Sequence, residues 1–228
     1  MSKPEDYNWD VIFDGAGWFH TTGITPALSE TMPPICEDAY KSARKQGAII
    51  SCDLNYRKNL WSSEQAQKVM KKLAGMVDII IGNEEDAEKM LGIVPAETKI
   101  AAGELNYDAY VQVAKKICES YGVKQVAFTL RSSKSASDNT WAGMLYNGKD
   151  AYFSRNYDIH IVDRVGGGDS FSAGLIYGML KGMPPKETVE FATAASCLKH
   201  TMEFDFNHAS VEDVMLLMSG DGSGRVQR

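Results

Sequence analysis

Short β-branched runs alternate along this chain with longer segments of helical periodicity, and that alternation most narrows the folds open to it. Val11 to Phe13, Ala48 to Asp53 (AIISCD), Val77 to Ile81 and Gln125 to Leu130 read as buried strands. Met32 to Gln46, Glu64 to Leu73 and Tyr107 to Glu119 read as helices between them. Parallel strands need such crossovers, so the expected class is α/β. Ser62 or Ser63 is expected to cap the second helix, and Asn83 the acidic turn EEDAEKML. From Thr140 to Arg155 the pattern changes to a hairpin turned at Asn147-Gly148, expected as an antiparallel edge. Helices over Ser170 to Leu180, Lys186 to Lys199 and Val211 to Met218 complete the chain, before a polar tail over 219–228 expected to fray.

With 228 residues, 44% hydrophobic and 24% charged, the chain is expected to form one domain with its own core, which excludes a disordered or low-complexity protein. Its apolar runs are too short to span a bilayer, and the start MSKPEDYNWD is not a secretory signal, so a cytoplasmic protein with no membrane partner is expected. The four cysteines are widely spaced with no C-x-x-C pair, which supports neither zinc nor a disulfide framework. A net charge of -6 without a basic block speaks against nucleic acid and for a small-molecule ligand.

The run Asp163-Arg-Val-Gly-Gly-Gly-Asp-Ser-Phe171 carries the most chemistry. Three glycines opening a helix after an extended segment leave backbone N–H groups bare, and helix N-termini of this kind bind phosphate. An acid beside an anion site would repel phosphate unless it serves the reaction, and accepting a proton from an attacking hydroxyl is that service. Asp169 therefore reads as a general base; equally, an aspartate at this place can be the N-cap of the helix. Neither G-x-x-x-x-G-K-[ST] nor G-x-G-x-x-G is present.

DRVGGGDSF resembles the second signature of the ribokinase-like (PfkB) carbohydrate kinases, D-[ST]-x-G-A-G-D-x-F. Four further segments agree in order: WFHTTGITPALS, DLNYRKNLW, GNEEDAEKMLGI and TLRSSKSASDNTW. With YDIHIVDRVGGGDSFSAGLIYGML they most closely resemble members acting on 2-keto-3-deoxygluconate, over about Trp9 to Arg228. The resemblance implies a three-layer α/β/α fold with a mostly parallel sheet, and ATP-dependent phosphoryl transfer to a sugar-acid hydroxyl with Mg²⁺. Relatives carry an N-terminal third, with the first strand–helix units and a β-lid, that has no counterpart here. The chain is therefore expected to be a single truncated domain over 1–228, and a homo-oligomer or a partner is expected to cover the exposed sheet edge.

By the same likeness Asp169 would be the base, and the amides of Gly166, Gly167 and Gly168 would hold the transferred phosphoryl group. Alanine is usual in the family where Gly167 stands, and only a mild effect is expected from the exchange. Asn83 and Asp86 match the family's N-x-x-E motif, with Asp in place of Glu, acting through water on magnesium and phosphate; both also fit a helix start. Arg57 in D-x-N-x-R, positioned by Asp53 and Asn55, would neutralise a substrate carboxylate or the migrating phosphate, although an arginine after a strand is by itself an ordinary surface residue.

Thr129, Arg131 and Ser132, following the strand, resemble ATP-phosphate contacts. Asp163 would sit at a monovalent-cation site and Asp205 near sugar and nucleotide; either can instead cap a loop. KHTMEFDFN departs from the subgroup's K-H-T-x-P-G-D-F-N at Glu203 and Phe204, which implies a rebuilt loop near adenine. His200, Trp18, Phe19, Tyr177 and Phe171 read as structural. The competing function is a nucleotide-binding or interaction remnant without turnover; a fructose or nucleoside substrate is disfavoured by WFHTTGITPALS and DLNYRKNLW.

Overall fold

The computed structural model describes residues 2–94 and 106–220, so the expected tail beyond 220 lies outside the described residues. These residues fall into two compact units, one built from 2–94, 108–127 and 146–149, the other from 106–107, 128–145 and 150–220. Among the described residues no helix is long and apolar enough to cross a membrane.

The first unit opens with a short helix, α1 (Trp9–Ile12), followed by β1 (Trp18–Thr22), α2 (Met32–Lys45), β2 (Ile49–Asp53), α3 (Ser63–Ala74), β3 (Ile79–Gly82) and α4 (Glu84–Asp86), which continues as a π-helix over Ala87–Leu91. Helix α5 (Tyr107–Tyr121) leads into β4 (Gln125–Ser133). β1 pairs parallel with β2, Trp18 against Ile49 and Thr22 against Asp53, and β2 pairs parallel with β3, Asp53 against Ile81. Residues 50–53 of β2 and all of β3 are buried, as expected of strands covered on both faces. α2 turns Ile35, Cys36, Ala39, Tyr40 and Ala43 inward at helical spacing. α3 begins at a capping box in which Ser62 Oγ accepts from Gln65 N at 3.3 Å and Gln65 Oε1 from Ser62 N at 2.9 Å.

One expectation fails here. Val11 to Phe13 is not a strand: Asn8 caps α1 by accepting from Val11 N, the rings of Trp9 and Phe13 stack at i, i+4 spacing, and Val11 and Ile12 are exposed. Three apolar residues carry too little periodicity to separate helix from strand. The first strand is instead Trp18–Thr22, whose mixed aromatic and polar residues are half-buried at the end of the strand order.

The second unit holds the rest of β4, then β5 (Asp138–Tyr146), β6 (Ala151–Phe153), β7 (Tyr157–His160), α6 (Gly167–Leu180), α7 (Pro185–His200) and α8 (Val211–Ser219). β6 ends the strand order, and β7, too short and polar to stand out in the sequence, pairs antiparallel with β5, Asp138 against His160. The turn at Asn147-Gly148 forms as expected, with Gly148 at φ 88° and Asn147 Oδ1 accepting from Lys149 N at 3.0 Å. α7 packs against α6, α8, β6 and β7. It is therefore buried nearly all round from Thr188 to Cys197, and Phe191, Ala194 and Ala195 form a core with Val214 of α8. Phe171 is fully buried, Tyr177 stacks on Phe191 and, in the first unit, Phe19 packs edge-on against Phe13 and Tyr40, in keeping with structural roles.

Candidate active site

In the second unit the extended segment after β7 reverses at Gly166, the N-cap of α6, with φ at 79°. Only glycine takes that conformation at little cost, and a methyl group there would also overlap the carbonyl oxygen of Asp205. Helix α6 begins at Gly167, three residues earlier than the sequence pattern suggests, so Asp169 lies inside the first turn and is not the N-cap. Ser170 N donates to Gly166 O at 2.9 Å and Gly167 N to Arg164 O at 3.3 Å. The amides of Gly166, Gly168 and Asp169 have no backbone acceptor among the described residues. Unpaired N–H groups and the positive end of the helix dipole thus meet at one place. The Asp169 side chain is exposed there and makes no hydrogen bond or ion pair among the described residues.

The turn is braced from behind by the end of α7. His200 O accepts from Val162 N at 2.8 Å and Asp163 N at 3.3 Å, and Ser196 Oγ donates to Gly167 O at 2.8 Å. The His200 ring is buried against Trp141, centroids 4.6 Å apart. Its Nδ1 lies 2.7 Å from the Ser196 carbonyl, which can only accept, so Nδ1 carries the proton. Burial lowers the His200 pKa against the Ser196 bond, which raises it; the nearby cations Arg164, Lys199 and Arg131 lower it further. The imidazole is therefore neutral and structural.

The Asp163 carboxylate accepts from Val165 N at 2.9 Å and is held below its ordinary range first by that bond, then by the Lys199 charge and the backbone N–H groups of Phe204 and Arg164. Phe204, where the family pattern has glycine, adopts φ 63° with its ring exposed. Asp205 is exposed and touches the site through its backbone, under Gly166. Thr129, Arg131 and Ser132 do not follow β4 but lie within it: the strand runs three residues past Leu130 because β5 is its hydrogen-bonded neighbour, with Ser133 Oγ donating to Asn139 Oδ1 at 2.8 Å near the hairpin end. Arg131 is exposed, whereas Thr129 and Ser132 are half-buried.

The first unit gathers the other predicted residues at the C-terminal ends of its parallel strands, where open α/β sheets bind ligands. After β2, Leu54 N donates to Ile81 O at 2.9 Å, and Asn55 turns at φ 44° with Nδ2 on Thr22 Oγ1 at 3.3 Å. Tyr56 N then donates to Asp86 Oδ1 at 2.8 Å. After β3, Asn83 N donates to Asp86 Oδ2 at 3.2 Å, and Asp86 N to Asn83 Oδ1 at 2.8 Å, a reciprocal cap. Asp86 thus ties the Arg57 loop to the Asn83 helix start. Burial pushes its pKa up to about 6 despite the Tyr56 and Asn83 amides and the Arg57 charge. Arg57 is exposed, with Nη1 on its neighbour's carbonyl, Tyr56 O, at 3.2 Å.

Among the described residues no three His, Cys, Asp or Glu side chains are grouped to hold a metal ion. That donor set suits a divalent ion carried by nucleotide phosphates and touched by the protein through water.

Fold and site define a ribokinase-like α/β protein. A crystal structure of a 2-dehydro-3-deoxygluconokinase from Thermotoga maritima superposes with a TM-score of 0.90 at 49% identity, covering 96% of this chain and 65% of that one. The pfkB family carbohydrate kinase model matches residues 4–202, and the chain belongs to that family. A 2-dehydro-3-deoxygalactonokinase of Haloferax volcanii is 26% identical over 223 residues, 98% of this chain and 63% of the relative. A 2-dehydro-3-deoxygluconokinase of Bacillus subtilis is 30% identical over 199 residues, 86% of this chain and 52% of the relative. The chain thus spans between half and two thirds of the length of these proteins.

Sequence reasoning missed Lys199 and the clamping role of Asp86. The signal for Lys199 was available: a helix whose small and apolar residues leave no polar face must bury any lysine it carries.

Proposed function

We propose that this chain carries out ATP-dependent phosphoryl transfer to a hydroxyl of a sugar acid, with 2-keto-3-deoxygluconate as substrate. The observation behind this reading is the exposed Asp169 carboxylate, without a protein partner, in the first turn of a helix whose N-terminal amides lack acceptors. Asp169 takes the proton of the substrate hydroxyl as its oxygen attacks the γ-phosphorus; the new O–P bond forms while the bond to the ADP oxygen breaks. The Gly166–Gly168 turn, with the Asp169 amide, stabilises the charge on the transferred group. Mg²⁺ supplied with the nucleotide would neutralise phosphate charge, with Asn83 and Asp86 reaching it through water. Arg57 would pair with the substrate carboxylate, Asp205 would lie near the sugar, and Thr129, Arg131 and Ser132 would contact nucleotide phosphate.

Relatives named for 2-dehydro-3-deoxy sugar acids support the substrate class. A homo-oligomer or partner strand over the outer edge of β1, the terminal strand, belongs to the same reading; light scattering at the monomer mass would refute it. The alternative is a nucleotide-binding remnant without turnover, favoured by Phe204 in a conformation suited to glycine and by the length of relatives left uncovered. A coupled ADP-release assay with 2-keto-3-deoxygluconate separates them. Asp169→Asn is expected to cut turnover by about 10²–10⁴-fold with nucleotide binding retained. Equal background rates in both proteins would leave only binding.

A further inference from the structure

Lys199, in the last turn of α7, is completely buried. A buried ammonium is unfavourable unless other groups compensate it, and three features do. Its Nζ donates to Met202 O at 3.2 Å, its only hydrogen-bond acceptor among the described residues. The C-terminal end of α7 presents its negative dipole to it, and the Asp163 carboxylate lies close enough to feel its charge. The stem reaches the glycine turn: a methyl on Gly166 would come 3.3 Å from Lys199 Cε. One fixed cation therefore stands beside both Asp163 and the N-cap of α6. The Asp163 carboxylate, implied by resemblance as a ligand of a soluble monovalent cation, is instead engaged by the N–H groups of Val165, Phe204 and Arg164 and faces that ammonium.

We propose that Lys199 is the built-in monovalent cation of the glycine turn, a positioning residue whose ammonium neutralises Asp163, braces Gly166 and adds positive field behind the amides that receive phosphate. The inference rests on the phosphoryl-transfer reading of that turn. Being fully buried, Lys199 acts through the turn and not by touching substrate. Its consequence is independence from added potassium.

The test compares full-length wild type and Lys199→Met in potassium chloride and in tetramethylammonium chloride at equal ionic strength. Turnover is measured with 2-keto-3-deoxygluconate, and affinity for the magnesium complex of β,γ-imido-ATP by calorimetry. Wild type should give the same affinity and turnover in both salts, to within about twofold. Lys199→Met should bind the analogue about tenfold more weakly in tetramethylammonium and recover in part in potassium, a salt-specific response that lost packing alone would not produce. A wild type that gains about tenfold from potassium, or a variant that matches wild type in both salts, overturns the assignment while leaving a kinase. Analogue binding that is potassium-independent without turnover refutes the kinase reading and supports the assignment; no binding in either salt overturns both. Should Lys199→Met not fold, the wild-type salt comparison alone decides.

Discussion

Gly167 offers a sharp test of the glycine turn, because relatives with alanine there make Gly167→Ala look harmless. In this structure a methyl on Gly167 would lie 2.5 Å from Cε1 and 2.7 Å from Nε2 of His200. The ring cannot swing aside freely: it is buried, rests against Trp141 at 4.6 Å and is held through Nδ1 by Ser196 O at 2.7 Å. Forcing a methyl into such a contact typically costs about 1–3 kcal/mol. The reduced freedom of the unfolded chain offsets about 0.4–1 kcal/mol of that, since the helical backbone at Gly167 suits alanine. A net loss of about 0.5–2 kcal/mol corresponds to a fall in Tm of roughly 2–8 °C for a chain of this size. Urea unfolding followed by circular dichroism should show a lower midpoint with an unchanged slope. In a His200→Ala background the space is open, and the same methyl should raise the midpoint. If Gly167→Ala stabilises the protein with His200 in place, or if the sign does not reverse without it, the packing argument for the turn is wrong.

Asp86 should make stability fall with rising pH. Its folded pKa, about 6, lies above the ordinary 3.8, so the native state holds the proton more tightly; the advantage is complete below about pH 4 and lost as pH rises through about 6. Relative to Asp86→Asn, wild type should lose about 3 kcal/mol across that interval in urea titrations, and parallel curves would refute the burial argument. Asp78 should behave oppositely: burial raises its pKa, but Lys124, the Ile50 amide and Arg44 together hold it below its usual value, so its contribution is present above about pH 4 and disappears in acid. Asp78→Ala, which strands Ile50 N–H beneath β2, should cost about 1–3 kcal/mol at neutral pH, read by the same unfolding assay. Arg57→Gln should raise KM for the sugar acid about tenfold or more while KM for ATP stays within about twofold, since a guanidinium fork on a carboxylate is what the exchange removes. An equal effect on both would place Arg57 on the phosphate side.

Most of the strand–helix order was legible because its signals are local. The capping residues Ser62, Asn83 and Ser210 mark helix starts by their own chemistry, and the covered strands β2 and β3 are continuous apolar runs. What failed was short or dependent on a neighbour. Val11 to Phe13 is too brief to show a period, Tyr157–His160 is a strand only because β5 offers a ladder, and β4 outlasts its apolar run for the same reason.

The candidate site divides along the same line. The residue types at Gly166, Gly167, Gly168 and Asp169 already point to an anion site with an acid beside it, since glycines at a helix start expose amides whatever the surroundings. Whether Asp169 caps the helix or stands free depended on where α6 begins, and that was decided by the left-handed turn at Gly166 against Asp205. Asp86 looks like a ligand in sequence, yet the fold gives its oxygens to Tyr56 and Asn83 amides, one of them 30 residues away along the chain. Lys199 reads as one more charge among 24 basic residues until α7 is packed on all sides. Sequence alone determined the helices, the strands and the chemical kinds of group available. The tertiary structure decided which of those groups are left free, because hydrogen-bond acceptors and burial come from residues distant in the chain and no local pattern carries them.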